Sequence, residues 1–282
     1  MISPKATIHP TAIIEPGAII HDNVTIGAYS VIGPNVVLGA GTIVGSHASI
    51  KGYTTLGEEN QIFSYASIGE IPQDLKYKGE KTFLIIGHKN IFREFVTVQP
   101  GTIQDQSETV IGNGNLFMNY VHIAHDCRIG NQNIFANQAQ LAGHVMIANK
   151  AIIAGFSGFH QHVRVGEMAM AAAGALVTKD IPPYCMAAGS ERAKLTSLNL
   201  VALKRHGIPA NVRDAIKKAY KIFFLSNHET IEKAISAIEK ESLLEISEVA
   251  NFVNFIKDSK RGVLRPDVKL SLTNEASEKL HD

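Results

Sequence analysis

Apolar residues return at every sixth position along most of this chain. From Ile8 the series runs Ile14, Ile20, Ile26, Ile32, Leu38, Val44, Ile50, Leu56, Ile62 and Ile68. It breaks after Gly69, resumes at Ile86, Phe92 and Val98, breaks again over 101–108, and returns at Ile111 to run in phase to Val177. In all, 26 positions share the phase. A six-residue period fits neither an amphipathic helix nor a hairpin strand. It fits a two-residue strand and a tight turn, three of which close a triangular coil of 18 residues. The aliphatic residue points inward, and the residue two before it, small or modest in size, fills the corner. The glycine that often follows the aliphatic position is expected to free the backbone at the bend. Successive coils then pair as parallel strands about 4.8 Å apart. The predicted fold class is β, a parallel β-helix of hexapeptide repeats followed by a small α-helical domain.

The expected organisation is a prism over 1–186, a helical part over 187–265 and a polar tail over 266–282. Two loops should leave the prism, at 70–83 and 101–108. The first, EIPQDLKYKGEKTF, carries Gln73, Asp74, Lys76 and Lys78, a carboxylate and amines suited to sugar hydroxyls and phosphates. The second, GTIQDQSE, is short and polar and reads as a tolerated surface insertion. Prolines 182 and 183 end the hexads, because proline cannot pair inside a ladder. Helical periods follow over 198–206, from an N-cap at Asn211 to Leu225, over 228–241 and over 246–257.

Composition narrows the function class. Net charge is +1, which gives no electrostatic case for nucleic acid. Residues 1–185 carry a net −2 and residues 186–282 a net +3, so the C-terminal part suits an acidic partner. The two cysteines give no disulfide framework, the N-terminus has no signal-peptide pattern, and no apolar run is long enough to span a membrane. A cytoplasmic protein is expected.

The chemistry gathers between Val121 and Val163, where five of the twelve histidines fall: His122, His125, His144, His160 and His162. In an 18-residue coil Asp126, His144 and His162 form one column on one vertex. His125, Gly143 and Gln161 form the next, and His122 stacks with Gln140 and Gly158. Residues spread over 40 positions thus meet on one edge, on the order of 10 Å long. Histidine suits proton transfer near neutral pH. His125 beside Asp126 is the best acid–base pair, because a neighbouring carboxylate favours the charged imidazole. Gly143 offers a backbone N–H to an oxyanion with no side chain in the way. There is no GxSxG, and Cys127 sits at a corner packing position. Direct transfer is expected: a base deprotonates a substrate hydroxyl, which attacks an acyl carbonyl.

Six segments, SIGEIPQDLKY (67–77), HIAHDC (122–127), LAGHV (141–145), FHQ (159–161), DIPPY (180–184) and LKRHG (203–207), resemble the UDP-N-acetylglucosamine acyltransferases of lipid A synthesis in order and spacing. The resemblance covers about residues 1–265. It implies a left-handed coil, against the usual right-handed crossover, and a homotrimer with sites in clefts between prisms. It implies His125 as general base, Asp126 orienting it and the Gly143 N–H as oxyanion donor. It implies that Gln73, Asp74, Lys76, His122, His144, His160 and Gln161 line the sugar, phosphate and acyl sites. Asn199 and Arg205 match nucleotide-binding positions, and Ala173 and Glu191 the acyl-chain ruler. The implied partners are acyl carrier protein bearing a 3-hydroxyacyl chain and UDP-N-acetylglucosamine, with no cofactor and no metal.

Three positions depart from the family pattern. Val201 replaces an acidic residue, His206 a second arginine, and Gln99-Pro100 a basic pair near the site. The last admits an alternative substrate, a 3-amino analogue of the sugar nucleotide. A second alternative is a zinc enzyme on the same prism, of the carbonic anhydrase type, with His122, His125 and His144 as its candidate ligands. A prism with an added N-terminal nucleotide-binding domain, as in the later N-acyltransferase, has no room before Ile8. A non-catalytic scaffold would show a bare vertex.

Overall fold

The computed structural model describes residues 1–226 and 228–267. Short parallel strands stack into three sheets of 11, 9 and 8 strands, and each coil contributes one strand to each sheet. Every aliphatic residue of the series from Ile20 to Val177 is buried. Within this column Phe92, Phe117 and Phe135 stack at 4.8 Å between centroids.

The turn geometry differs from the expectation for glycine. The bend residue with positive φ lies three before the inward aliphatic, and it is usually not glycine: Tyr29, His47, Tyr65, Asp126, His144 and His162 all lie near φ +60°. The glycine after the aliphatic answers a different need, close approach between coils. A Cβ on Gly39 would stand 2.4 Å from the carbonyl of Gly57 below it. A second device is absent from the hexad reading. Asn60, Asn90, Asn115 and Asn133 form a buried ladder in which each side-chain oxygen accepts from the next asparagine's backbone and amide N–H groups. The ladder satisfies turn groups that would otherwise be buried and unpaired.

Both loops leave at the corner between the 9- and 8-stranded sheets. They are slightly shorter than expected at their C-terminal ends: Phe83 already opens the strand Phe83–Ile86, and Glu108 the strand Glu108–Ile111. The C-terminal part begins with a hairpin not foreseen from the sequence, Cys185–Ala188 against Lys194–Leu198, which extends the 11-stranded sheet antiparallel. Among the described residues four α-helices follow: α1 (Leu200–Arg205), α2 (Ala210–Tyr220), α3 (Ile231–Lys240) and α4 (Ser247–Lys257). The α2 cap position is Pro209, not Asn211, which lies inside the first turn; the helix continues as a π-helical turn over Lys221–Leu225. Buried Asp180 pins these helices to the prism, accepting from the Arg164 N–H and the Ser259 hydroxyl. The Arg164 guanidinium also lies 4.3 Å from the Phe255 ring centroid. Most of the predicted tail, 268–282, lies outside the described residues.

Candidate active site

The 9-stranded sheet carries the strands His122–Ile123, Gln140–Leu141 and Gly158–Phe159, paired His122 to Gln140 to Gly158 as the 18-residue coil requires. At the corner that follows, Asp126, His144 and His162 stack as a column. The His144 and His162 rings lie parallel at 4.3 Å. His125 and Gly143 form the adjacent column: the His144 N–H donates to the His125 carbonyl, and the His162 N–H to that of Gly143.

The corner is built around one carboxylate. Asp126 is 2% exposed. Its Oδ2 lies 2.8 Å from Nδ1 of His125 and accepts from the Thr102 hydroxyl at 2.6 Å, while Oδ1 accepts from the Thr102 N–H at 2.8 Å. Burial pushes this carboxyl up, but the bonds from His125 and Thr102, with His144 nearby, outweigh it and hold the group below the usual carboxylate range. An ionised Asp126 keeps the proton of His125 on Nδ1, leaving Nε2 free to take another. The ring lies directly over Gly143: a Cβ there would meet Cε1 at 2.5 Å and Nε2 at 2.7 Å. Among the described residues, no backbone carbonyl accepts the Gly143 N–H.

His122 is fixed by Thr97, with Oγ1 and Nδ1 2.7 Å apart, and burial, reinforced by His125, pushes its imidazole below the usual range. It lines two adjoining depressions. One, of about 420 Å³, is polar and is bordered by Gln73, Thr97, Tyr120 and Gln140. The other, of about 480 Å³, is apolar, with Leu141, Phe159, Leu176 and Val177 on its floor and His160 and Glu191 at its sides. A polar head and an apolar chain would therefore meet beside His122 and Gln140, which line both depressions. Burial pushes the Cys127 thiol up to about 12, so it stays protonated and packs in the core.

Two family models match the chain: "Udp N-acetylglucosamine O-acyltransferase; Domain 2" over residues 180–264, and the bacterial transferase hexapeptide over 1–34 and 108–143. An acyl-[acyl-carrier-protein]–UDP-N-acetylglucosamine O-acyltransferase of Aeromonas salmonicida is 52% identical over 193 residues, covering 68% of this chain and 72% of that protein. The chain belongs to this acyltransferase family. Among solved structures, LpxA of Acinetobacter baumannii superposes with a TM-score of 0.88 at 43% identity, over 92% of this chain and 99% of that one. The UDP-N-acetylglucosamine acyltransferase of Campylobacter jejuni gives 0.84 at 36% identity, over 93% and 100%. The coil is accordingly left-handed.

Within one chain of this family member the expected site residues separate into two groups. His122, His125, Asp126, Gly143, His144, His160 and Gln161 share one edge, with Gln73 beside it. Gln73 is held there by its N–H, which donates to the buried Gln99 side chain at 3.2 Å. Asp74 and Lys76 lie farther out on the first loop, where the Asp74 carboxylate accepts from the Lys76 N–H. Asn199 is buried as the N-cap of α1; its side chain accepts from the Ala202 N–H and donates to the Met168 carbonyl at a different corner of the prism. Arg205 is exposed in the last turn of α1. Glu191 borders the apolar groove, whereas Ala173 is exposed at the corner between the 11- and 9-stranded sheets and does not border it in the same chain.

The zinc alternative is not favoured. Among the described residues, one group offers three close donors, His125, Asp126 and His144, all within 4.8 Å. His125 and Asp126 are spent on each other, and His122, a ligand in that reading, is not of the group. Sequence reading missed Thr97 and Thr102, and it set Gln99 near the site without its contact to Gln73. Thr97 was within reach, because resuming the phase at Val98 sets it beside His122. Thr102 comes from a loop that the repeat does not constrain, whereas Gln99 follows the in-phase strand Thr97–Val98.

Proposed function

We propose that this chain transfers a 3-hydroxyacyl group from acyl carrier protein to the 3-hydroxyl of UDP-N-acetylglucosamine, the first step of lipid A synthesis, with His125 as general base. One observation carries the mechanism: Nδ1 of His125 is bound by an ionised Asp126, while its Nε2 stands over Gly143, next in the chain to Ala142 on the apolar depression. Nε2 takes the proton of the sugar hydroxyl as its oxygen attacks the thioester carbonyl. The developing oxyanion is met by the Gly143 N–H. Collapse breaks the C–S bond, and His125 returns the proton to the carrier thiolate.

The polar depression with Gln73 suits the sugar, and Asp74 and Lys76 its nucleotide side. The apolar groove suits the acyl chain, with His144, His160 and Gln161 at its mouth. Asn199, Arg205 and Ala173, remote from this edge in one chain, would serve a neighbour's site in a homotrimer. An exposed edge supports that assembly: Tyr29, His47, Tyr65, Phe95 and Tyr120 form a continuous ring stack at 4.8–5.2 Å. A contiguous apolar surface of this kind marks an association surface. No helix among the described residues is long and apolar enough to cross a membrane.

The test is turnover by the purified protein on UDP-N-acetylglucosamine and its 3-amino analogue, with a panel of 3-hydroxyacyl carrier proteins. Transfer to the 3-hydroxyl is expected, and loss of it in His125→Ala with fold and assembly intact. Near-normal turnover by that variant would remove the general base, and stoichiometric zinc in active protein would remove the direct-transfer reading.

A further inference from the structure

The second loop brings to the histidine edge a carboxylate that the transfer step does not use. Oδ2 of Asp105 lies 3.2 Å from Nδ1 of His144, across 39 residues of sequence. The other ring nitrogen, Nε2, lies 3.8 Å from Oδ2 of Asp126. His144 thus stands between two carboxylates, one at each nitrogen. The Nδ1 contact is within hydrogen-bond range, whereas the Nε2 contact at 3.8 Å is electrostatic only. Opposite charges at this range favour the charged form.

The loop is built to hold Asp105 in place. The Asp105 and Ser107 N–H groups both donate to the Thr102 carbonyl, and Thr102 is itself bound to Asp126. One short turn therefore grips both carboxylates of the network. The His144 ring is confined on its other sides too. It stacks on His162, and it meets His125 edge-on, with centroids 5.2 Å apart and planes at 90°. The charged and titratable groups around it are Asp105, Asp126, His125 and His162, with His160 and Arg261 acting on His162 from beyond. Burial, and then His144, Arg261 and His160, push the His162 imidazole down against the pull of Asp105.

We propose that Asp105 is a positioning residue for the reaction: it holds the His144 ring by Nδ1 and braces it edge-on against the His125 ring, and so keeps Nε2 of the base aimed at the cleft. Its consequence for rate rests on the acyl-transfer reading, whereas its effect on His144 does not.

The experiment is a histidine ring NMR titration of the full-length protein labelled with 13C-histidine, as wild type, Asp105→Asn and Asp105→Glu. The His144 signal is assigned by its loss in His144→Gln. Removing the carboxylate 3.2 Å away should lower the His144 midpoint in Asp105→Asn, and Asp105→Glu should restore it. At fixed pH kcat should fall several-fold and recover in the same pattern, with the melting temperature unchanged. An unmoved His144 midpoint in Asp105→Asn overturns the proposal, as does a shifted midpoint with unchanged kcat. Equal loss of activity in both variants with no change in the titration would mean that Asp105 only shapes the loop, and also overturns it. A wild-type protein inactive in acyl transfer would instead sink the proposed function, and the His144 titration would still report on Asp105.

Discussion

The imidazole of His125 occupies the space that a side chain on Gly143 would need, with Cε1 2.5 Å from the missing Cβ. The ring cannot withdraw without stretching its 2.8 Å contact with Asp126. Gly143→Ala should therefore displace the base while keeping the backbone donor. A misplacement of about 1 Å costs roughly 10²-fold in rate. Steady-state kinetics should show a kcat loss of that order, with the fold intact by thermal melting. Wild-type kcat in this variant would mean that the base does not act from the position seen here.

Thr102→Val keeps the shape of the side chain and deletes the hydroxyl 2.6 Å from Asp126. A hydrogen bond to a charged group contributes about 1.5–3 kcal/mol, so a loss of that size is expected at neutral pH. The pH dependence has a definite sign. The folded Asp126 carboxyl lies below its ordinary value, so its stabilisation is complete above the ordinary carboxylate range and is lost as pH falls through the lower, folded value. Denaturant unfolding of the two proteins should converge as pH is lowered through that window. An equal gap at neutral and acid pH would show that the hydroxyl acts through packing alone.

Asn115 is the test of the buried ladder. Its amide donates to Asn90 and to the Gly130 carbonyl, and its oxygen accepts from both N–H groups of Asn133. Asn115→Ala leaves several of these groups buried and unpaired, at about 1–3 kcal/mol each. A loss of roughly 3–4 kcal/mol in unfolding free energy is expected. Asn113, on the exposed neighbouring column, should cost far less when replaced by Ala.

The ring stack should decide the assembly. Tyr65 is 51% exposed in the isolated chain and stacks on His47 and Phe95 at 5.1 and 5.2 Å. Tyr65→Glu places a charge in this surface, and sedimentation velocity should show a shift from the proposed trimer toward monomer, with turnover falling in parallel. An unchanged trimer would locate the interface on another edge.

The histidine edge was legible from the sequence because a fixed coil length turns residue number into position. Asp126, His144 and His162 differ by whole coils, so their column needed no coordinates. The inward aliphatic residues were legible for the same reason. Glycine was placed correctly but explained wrongly. Its absent Cβ makes room for the next coil, while the bend itself is taken by residues such as His144 in the left-handed region. The loops carry no period, so Thr102 and Asp105 looked like surface polar residues until the fold brought them to Asp126 and His144. Helix caps failed locally too: Asn211 was a reasonable cap by residue type, but Pro209 precedes the first turn. The hairpin 185–198 shows neither hexad nor helical spacing and passed unrecognised.

The buried asparagines record how the interruptions are accommodated. Asn60 and Asn90 are 30 residues apart, Asn90 and Asn115 are 25 apart, and Asn115 and Asn133 are 18 apart, yet their hydrogen bonds are alike. The prism closes each coil identically whatever length of chain is spliced in at the corner. Arm length is therefore a free variable for evolution and for the engineer. The loops at this corner can be lengthened, shortened or exchanged between relatives while His125 and Asp126 stay in their places.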